Sequence, residues 1–161
     1  NVFWTCDALS HPFTGVLAIF ATRLLNDRSP LNFEHGFHQR DFVSVKDIAR
    51  ACRLAMEVEA AAGQVFNIGS GKAYTIRQIA ARMAEAVGKP EIEPEISGKY
   101  RVGDIRHCYA DIRLARQVLG YEPRVSLEDG LVELADWLEG QVASDRVAEA
   151  REELAARGLA I

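Results

Sequence analysis

The sequence predicts an α/β fold, in which helices alternate with short strands along the chain. Two observations lead to this prediction. In several segments apolar residues recur at helical spacing, after a capping residue and before a glycine. Between these segments lie short apolar or alternating runs, bounded by glycine, proline or aspartate, which is the pattern typical of strands.

The first elements follow from local spacing. Asn1–Phe3 is a short, strand-like apolar piece. After a turn-like segment at 10–12, a helical apolar stripe predicts a helix that ends at "NDRSP" (26–30). "LNF" (31–33) is consistent with a short strand that leads to the turn at Gly36. The stripe of the first helix consists of Phe13, Val16, Leu17, Phe20 and Leu24.

The next strand and helix are predicted at "DFVSV" (41–45), which alternates in period two. Ser44 and Asp47 have the spacing of a capping box, with Asp in the position usually held by Glu. The apolar spacing then predicts a helix that continues to Gly63.

Three further elements follow in the middle of the chain. "QVFNIGSG" (64–71) is a short apolar run ending in glycines, which predicts a buried parallel strand. Thr75 and Gln78 form a second capping box, and the helix behind it is expected to end at Gly88. "EIEPEISG" (91–98) is polar and interrupted by proline, which indicates an edge strand or a loop.

The last part of the chain is predicted to be helical. Asp111 is expected to cap a short helix that ends at Gly120. Ser126 and Asp129 open a further helix, and a charged segment (145–157) predicts a final, peripheral helix. These assignments amount to about five to six helices.

Composition is that of an ordinary globular protein. The 161 residues are 48% apolar and 26% charged, with a formal net charge of −4. This charge gives no reason to expect nucleic acid or a membrane as a partner. No apolar run approaches the ~18–20 residues needed for a membrane span, and no signal-peptide pattern opens the chain. Three cysteines without a CxxC spacing predict reduced thiols in a cytoplasmic protein.

Two tempting motifs do not match their definitions. "NIGSGK" (67–72) lacks the first glycine of a phosphate loop, since Phe66 stands there, and Tyr74 stands where a dinucleotide fingerprint needs its third glycine. The glycines are better explained by tight packing in a turn. His35 and His38 form an HxxH pair in a turn without further ligands, so no metal site is predicted.

Arginines are the more informative candidates. Arg40 precedes the predicted strand, and Arg101 lies in "KYRVGDIRHCYAD" together with Asp104. Arginines from two separate loops could hold a diphosphate, and Asp104 could accept hydrogen bonds from sugar hydroxyls. The alternative is a set of surface ion pairs, Arg40 with Asp41 or Asp47 and Arg101 with Asp104. Spacing alone favours the ion pairs.

Several blocks taken together resemble a known family. "RDFVSVKDIARA", "GQVFNIGSGKAYTIRQIA", "GDIRHCYADIRLARQVLGYEP" and "SLEDGL" resemble the C-terminal half of the extended short-chain dehydrogenases/reductases, in the NAD-dependent epimerase/dehydratase group that acts on nucleotide sugars. The resemblance runs in register over residues 1–141, with 142–161 left as a peripheral C-terminal helix. It implies a partial Rossmann-type fold that forms the substrate-binding portion.

The resemblance also implies roles for four residues. Arg40 and Arg101 would bind the diphosphate of a nucleotide diphosphate sugar, and Asp104 would lie near the nucleotide ribose. Asn1 matches an Asn that touches the phosphate at a strand end. The chain departs from the family pattern directly afterwards, because residues 4–6 (Trp-Thr-Cys) replace the usual Gly-Pro-Arg turn.

Catalysis in the resembling family depends on NAD, bound by a glycine fingerprint, and on a Tyr-x-x-x-Lys pair. Both belong upstream of Asn1 in the family register. Within the chain, none of the four tyrosines is followed by lysine at the fourth position. We therefore expect an enzyme fragment that holds no NAD and turns over nothing alone, and assign it no catalytic or cofactor-binding residue.

The same register implies a missing N-terminal Rossmann domain as a partner. Without that domain the chain would expose apolar surface, so we expect either a homodimer or a rearranged packing of its helices. The alternative is a non-catalytic binding or assembly module derived from the same fold. An in-frame GxxGxxG and YxxxK in the upstream DNA would identify an enzyme fragment, whereas a start codon without them would favour the module.

Overall fold

The structure is a computed structural model that describes residues 1–5, 15–138, 140 and 147–159. In these ranges the helices are α1 (Val16–Leu25), α2 (Val45–Glu57), α3 (Ile76–Ala86), α4 (Arg113–Leu119), α5 (Leu127–Leu138) and α6 (Val147–Ala156). The strands are β1 (Val2–Phe3), β2 (Leu31–Asn32), β3 (Gln39–Arg40), β4 (Val43–Ser44), β5 (Tyr74–Thr75), β6 (Glu95–Ile96) and β7 (His107–Cys108). The α/β prediction and the number of helices are confirmed. Across these described ranges, no helix combines the length and the apolar character that crossing a bilayer requires.

The strands form three small sheets. β1 pairs with β4, and β2 with β6, both in parallel. In the third sheet β3 is central, antiparallel to β5 and parallel to β7. The pairing of β2 with β6 confirms an edge strand within residues 91–98, and β3 carries Arg40 between two neighbours.

The main core lies where α3 packs between α1 and α5. Its largest fully buried side chains include Phe20, Leu24, Ile79, Met83 and Leu131. β1 packs on the same group, since a Cβ atom added at Gly130 of α5 would lie 2.1 Å from the Phe3 ring. A second cluster joins α2 to α4 around Ala51, Ala115, Leu119 and Tyr121.

Three local predictions are confirmed by hydrogen bonds. The Gln78 N–H donates to Thr75 Oγ1 over 3.1 Å, and the Thr75 N–H donates to Gln78 Oε1 over 2.9 Å, which completes the capping box of α3. The Asp129 N–H donates to Ser126 Oγ over 3.0 Å at the start of α5. Gly120 ends α4 in the left-handed conformation, with φ 63°.

The predicted capping box at α2 is only half right. Ser44 caps the helix with its side chain. The buried Asp47 carboxylate, however, accepts from Arg50 Nη2 over 2.6 Å and from the backbone N–H groups of Arg124 and Val125 over 3.0 and 3.1 Å. Asp47 therefore joins α2 to the segment ahead of α5 through these main-chain hydrogen bonds.

The predicted strand at 64–71 is wrong. This segment has no assigned strand, and Val65 is 87% exposed. A strand needs a neighbour to satisfy its main-chain groups, whereas here the N–H groups of Ser70 and Gly71 donate to the Asp41 carboxylate. α2 is also shorter than predicted: it ends at Glu57, and a short 3₁₀ helix (Glu59–Ala61) follows. The predicted starts of the first and last helices lie outside the described residues.

Asn32 of β2 is buried against the turn at Gly36, where an added Cβ would lie 2.8 Å from Asn32 Nδ2. Neither Asn32 Oδ1 nor Nδ2 has a hydrogen-bond partner among the described residues. An unsatisfied buried amide costs about 1–3 kcal/mol. The sheet of β2 and β6 therefore carries a polar group that does not stabilise it.

Asp47→Asn tests the link between α2 and α5. Burial by itself would raise the pKa of Asp47, but hydrogen bonds from Arg50, Val125 and Arg124 outweigh it and lower the pKa below 3.8. The ionised carboxylate therefore stabilises the folded chain above the unfolded pKa, and this stabilisation is lost as the pH falls toward the folded pKa. We expect Asp47→Asn to lower the free energy of unfolding at pH 7 by about 1–3 kcal/mol, and to flatten its decline below pH ~5.

Urea unfolding at a series of pH values between 7 and 3 measures this effect. Glu57→Gln is the matched control, because Glu57 lies on the same helix in an exposed pair with Arg53 at 3.5 Å. Such a pair contributes less than about 1 kcal/mol. Equal losses in the two variants would contradict the role of Asp47.

Candidate ligand-binding site

The position of Arg40 follows from the central place of β3 in its sheet. β7 runs parallel to β3, with Arg40 opposite Cys108. The loop at 101–106, which leads into β7, therefore lies beside Arg40. The loop turns sharply where the Asp104 N–H donates to the Arg101 carbonyl over 3.1 Å. Gly103, with φ 80°, supplies the left-handed residue that such a turn requires.

Asp104 lies between the two predicted arginines. Its Oδ1 accepts from Arg40 Nη2 over 2.9 Å, and its Oδ2 accepts from Arg101 Nη2 over 2.8 Å. Three of the four predicted site residues are thus in direct contact. Spacing alone had favoured ion pairs, and the pair of Arg101 with Asp104 is confirmed. Asp41 or Asp47 as the partner of Arg40 is wrong, because the parallel pairing of β7 with β3 places Asp104 beside Arg40.

Arg40 is the more enclosed of the two arginines. Its side chain is 18% exposed. Its terminal nitrogens also donate to main-chain carbonyls, over 2.9 Å to Gln39 and 3.1 Å to Arg106, with a further bond to Ile105. Arg40 therefore holds the 104–106 loop in place, in addition to contributing positive charge.

Arg101 is open to solvent, with 46% of its side chain exposed. Its guanidinium group lies over the Phe33 ring, 4.9 Å from the ring centroid, which is a cation–π distance. Phe33 follows β2 and was not a predicted site residue. The signal in the sequence was an aromatic side chain at the end of a strand, just ahead of the turn at Gly36.

Asn1 reaches the cluster only indirectly. Its backbone nitrogen and its Nδ2 both donate to the main-chain oxygen of Asp41, over 2.7 and 3.2 Å. Asn1 thus lies beside the residue that follows Arg40, with its side-chain amide already engaged. A direct role on a phosphate stays a prediction.

Asp41, which the sequence suggested only as an ion-pair partner of Arg40, instead accepts hydrogen bonds from two neighbouring segments. Its Oδ1 accepts from the Ser70 N–H over 2.9 Å and from the Ser70 hydroxyl over 2.7 Å. Its Oδ2 accepts from the N–H groups of Gly71 and Ala110, both over 3.3 Å. The loop at 67–72, called the glycine loop below, therefore surrounds a carboxylate of the chain itself. This is a physical reason to reject the interpretation as a phosphate loop.

Tyr121 closes the other side of this glycine loop. Its hydroxyl donates to the Gly69 carbonyl over 2.9 Å. Burial, followed by the charge of Asp47, raises the pKa of Tyr121 to about 12. The phenol therefore remains a neutral donor and a structural group. No cluster of three or more potential metal ligands (His, Cys, Asp or Glu) occurs among the described residues.

Comparison with known proteins identifies the class of protein to which this chain is similar, the nucleotide-sugar epimerases and dehydratases. The family model described as GDP-mannose 4,6 dehydratase matches residues 12–134, and the chain belongs to this family. The chain is 38% identical over 140 residues to a dTDP-L-rhamnose 4-epimerase of Burkholderia thailandensis. The matched region covers 86% of this chain and 38% of the relative. The chain therefore spans about two fifths of that relative's length.

Solved structures agree on the fold. A UDP-glucose 4-epimerase of Thermotoga maritima, determined with UDP-glucose, superposes with a TM-score of 0.76 at 36% identity, covering 86% of this chain and 43% of that one. A UDP-glucuronic acid 4-epimerase of Bacillus cereus, determined in complex with NAD, superposes with a TM-score of 0.66 at 27% identity, covering 78% and 38%. The Rossmann-type relationship expected from the sequence is confirmed.

Gly69→Ala tests whether Asp41 needs the close approach of the glycine loop. An added Cβ would lie 2.3 Å from Asp41 Oδ2 and 2.7 Å from the Cβ of Ala110. The loop would have to move off the carboxylate, so we expect a loss of about 3 kcal/mol in the free energy of unfolding. Urea titration of wild type and variant measures it.

Gly88→Ala provides a reference for the cost of a substituted glycine without close contacts, although Gly69 itself has no positive φ. Gly88 has φ 71° and nothing lies within 4 Å of an added Cβ, so only the cost of a left-handed residue applies. That cost is about 1–2 kcal/mol. A loss at position 69 no larger than the loss at position 88 would contradict the proposed close packing.

Proposed function

We propose that this chain is the nucleotide-sugar-binding part of an NAD-dependent epimerase or dehydratase. The observation that carries the proposal is the convergence of Arg40 and Arg101 on Asp104, in a chain that belongs to a nucleotide-sugar-modifying family. Two guanidinium groups from separate segments form a local positive site in a chain whose net charge is −4. Such a site suits a diphosphate, because guanidinium forks bind phosphate oxygens through charge-assisted hydrogen bonds.

The two arginines would have different roles in binding a phosphate. Arg101 is exposed and would make the first contact with an incoming phosphate. Arg40 is enclosed and anchored on three main-chain carbonyls, so it would add charge at a preset position without moving. Asp104 would turn to the ribose hydroxyls, and Asn1 would approach the phosphate from the neighbouring strand. These four assignments rest on family register together with the observed proximity.

The glycine loop offers no site for the pyrophosphate of NAD. The glycine loop at 67–72 is the segment closest in sequence to a dinucleotide fingerprint, yet its Ser70 and Gly71 N–H groups are bonded to Asp41. A dinucleotide pyrophosphate needs such N–H groups directed toward the ligand. We therefore propose that NAD is bound by a part of the protein that lies outside this chain.

Under this proposal the chain contributes binding and orientation, and the chemical step takes place on residues outside it. Holding the diphosphate anchors the substrate at a distance from the reacting sugar carbon, which lowers the entropic cost of orienting that carbon. No tyrosine in the chain is followed by lysine at the fourth position, so no turnover is expected from the chain alone. The free thiols of Cys52 and Cys108 support a cytoplasmic location.

Arg101→Ala tests the diphosphate site. Loss of one charge-assisted phosphate contact should weaken binding of UDP-glucose about ten- to hundredfold. Isothermal titration of the 161-residue chain with UDP-glucose measures this change. Arg53→Ala is the matched control, since Arg53 is an exposed arginine of α2 whose partner is Glu57.

Unchanged affinity in Arg101→Ala would exclude Arg101 from the site. An equal loss in Arg53→Ala would show a general effect of charge instead of a specific contact. Absence of UDP-glucose binding by wild-type chain, with dTDP-glucose and UDP-glucuronic acid also inactive as ligands, would overturn the proposed function.

We also propose that the chain self-associates as a homodimer. Met56 at the end of α2 and Val65 after it are 81% and 87% exposed, and burying these side chains against a second copy would favour association. Light scattering after size-exclusion chromatography should give a mass near twice 17.8 kDa. Met56→Glu combined with Val65→Glu should shift the mass to that of a monomer. A wild-type monomer at every loading concentration would contradict the proposal.

A further inference from the structure

Asp104 occupies the position between the two guanidinium groups that a ligand phosphate would take. Each of its oxygens accepts from a different arginine, over 2.9 Å from Arg40 and 2.8 Å from Arg101. Its side chain is 19% exposed. Carboxylate and phosphate oxygens accept guanidinium N–H groups with the same geometry, so the two compete for the same donors.

We propose that Asp104 is an internal competitor that lets the site select a nucleoside diphosphate over free pyrophosphate. The inference rests on the proposed function and deepens it, because it makes Asp104 a residue that determines specificity at the same site. An anion that takes the Nη2 donors now bonded to Asp104 must first displace the carboxylate. The free-energy cost of that displacement depends on whether the anion can donate hydrogen bonds to the displaced carboxylate.

The main chain around Asp104 is held on both sides, so displacement is a rotation of one side chain and the loop stays in place. The carbonyls of Ile105 and Arg106 accept from Arg40, and β7 begins immediately afterwards. On the other side the Val102 N–H donates to the Leu159 carbonyl over 3.0 Å, which ties the loop to the segment after α6.

Arg101 is also restrained when Asp104 leaves. Its guanidinium group stacks on Phe33, 4.9 Å from the ring centroid, independently of its bond to Asp104. Arg40 keeps its bonds to the Gln39 and Arg106 carbonyls. The two guanidinium groups therefore stay in position to receive phosphate oxygens while the carboxylate is displaced.

The two ligand classes differ in what happens to the displaced carboxylate. Pyrophosphate leaves Asp104 without its ion partners and close to further negative charge, which is unfavourable. A nucleoside diphosphate carries ribose hydroxyls, and these can donate hydrogen bonds to the displaced carboxylate. The same carboxylate therefore opposes binding of free pyrophosphate and recovers its hydrogen bonds when a nucleoside diphosphate binds.

Asp104→Asn tests the inference, with inorganic pyrophosphate and UDP as probes at fixed ionic strength. Removing the negative charge should tighten pyrophosphate binding by the 161-residue chain about tenfold. UDP should bind with equal or lower affinity, because it loses an acceptor for its hydroxyls. The preference for UDP over pyrophosphate should therefore fall by at least about tenfold.

Asp27→Asn is the matched control, since it removes the same charge from an exposed carboxylate that pairs with Lys89 at 2.7 Å. It should leave the preference unchanged. Asp104→Ser is a second variant, and it lacks the amide oxygen through which Asn could still accept a hydrogen bond from one arginine. Thermal unfolding identifies any variant that is not folded. Both folded Asp104 variants should show the loss of preference.

The result that overturns the inference is a wild-type chain that binds UDP while pyrophosphate affinity in a folded Asp104 variant is unchanged or weaker. In that case the proposed function would stand and Asp104 would not be a competitor. A wild-type chain that binds neither UDP nor UDP-glucose would overturn both.

Discussion

The carboxylate of Asp41 is the interaction on which the arrangement of this chain depends. It accepts hydrogen bonds from main-chain groups of Ser70, Gly71 and Ala110, which come from two distant segments. The first of these segments leads into β5 and the second follows β7. One buried carboxylate therefore holds both neighbours of β3 at their places. Burying a charge is costly without such partners, so the charge and the loops stabilise each other.

Asp41, Asp47 and Asp104 each link distant segments of the chain, and their partners decide what each can do. Asp41 and Asp47 are buried carboxylates that accept mainly from main-chain N–H groups, so replacing them would leave the fold without these bonds. Asp104 accepts from two arginine side chains at a partly open site. Guanidinium groups can exchange one anion for another without disturbing the fold. For this reason we propose that a ligand displaces Asp104, whereas Asp41 and Asp47 belong to the framework.

Local chemistry was predictable where a residue acts on its near neighbours. The capping box of Thr75 and Gln78 and the glycine that ends α4 were both foreseen, because they depend on spacings of a few residues. The strand predicted at 64–71 was wrong because a strand exists only where a neighbour satisfies its main-chain groups. Asp47 was misassigned for a similar reason, since its partners, Arg124 and Val125, lie 77 and 78 residues away. Nor does local spacing indicate that Asn32 is buried without a partner.

The sequence by itself determined the number of helices, several of their caps and the family, and it singled out Arg40, Arg101 and Asp104 as candidates. It could not decide between a ligand site and separate surface ion pairs, since Arg40 and Asp104 are 64 residues apart. Only the tertiary structure decided that the three meet, through the parallel pairing of β7 with β3. Helical spacing and capping depend only on residues a few positions apart, so the sequence alone can predict them. The contact between two distant loops arises only when the sheet between them has formed.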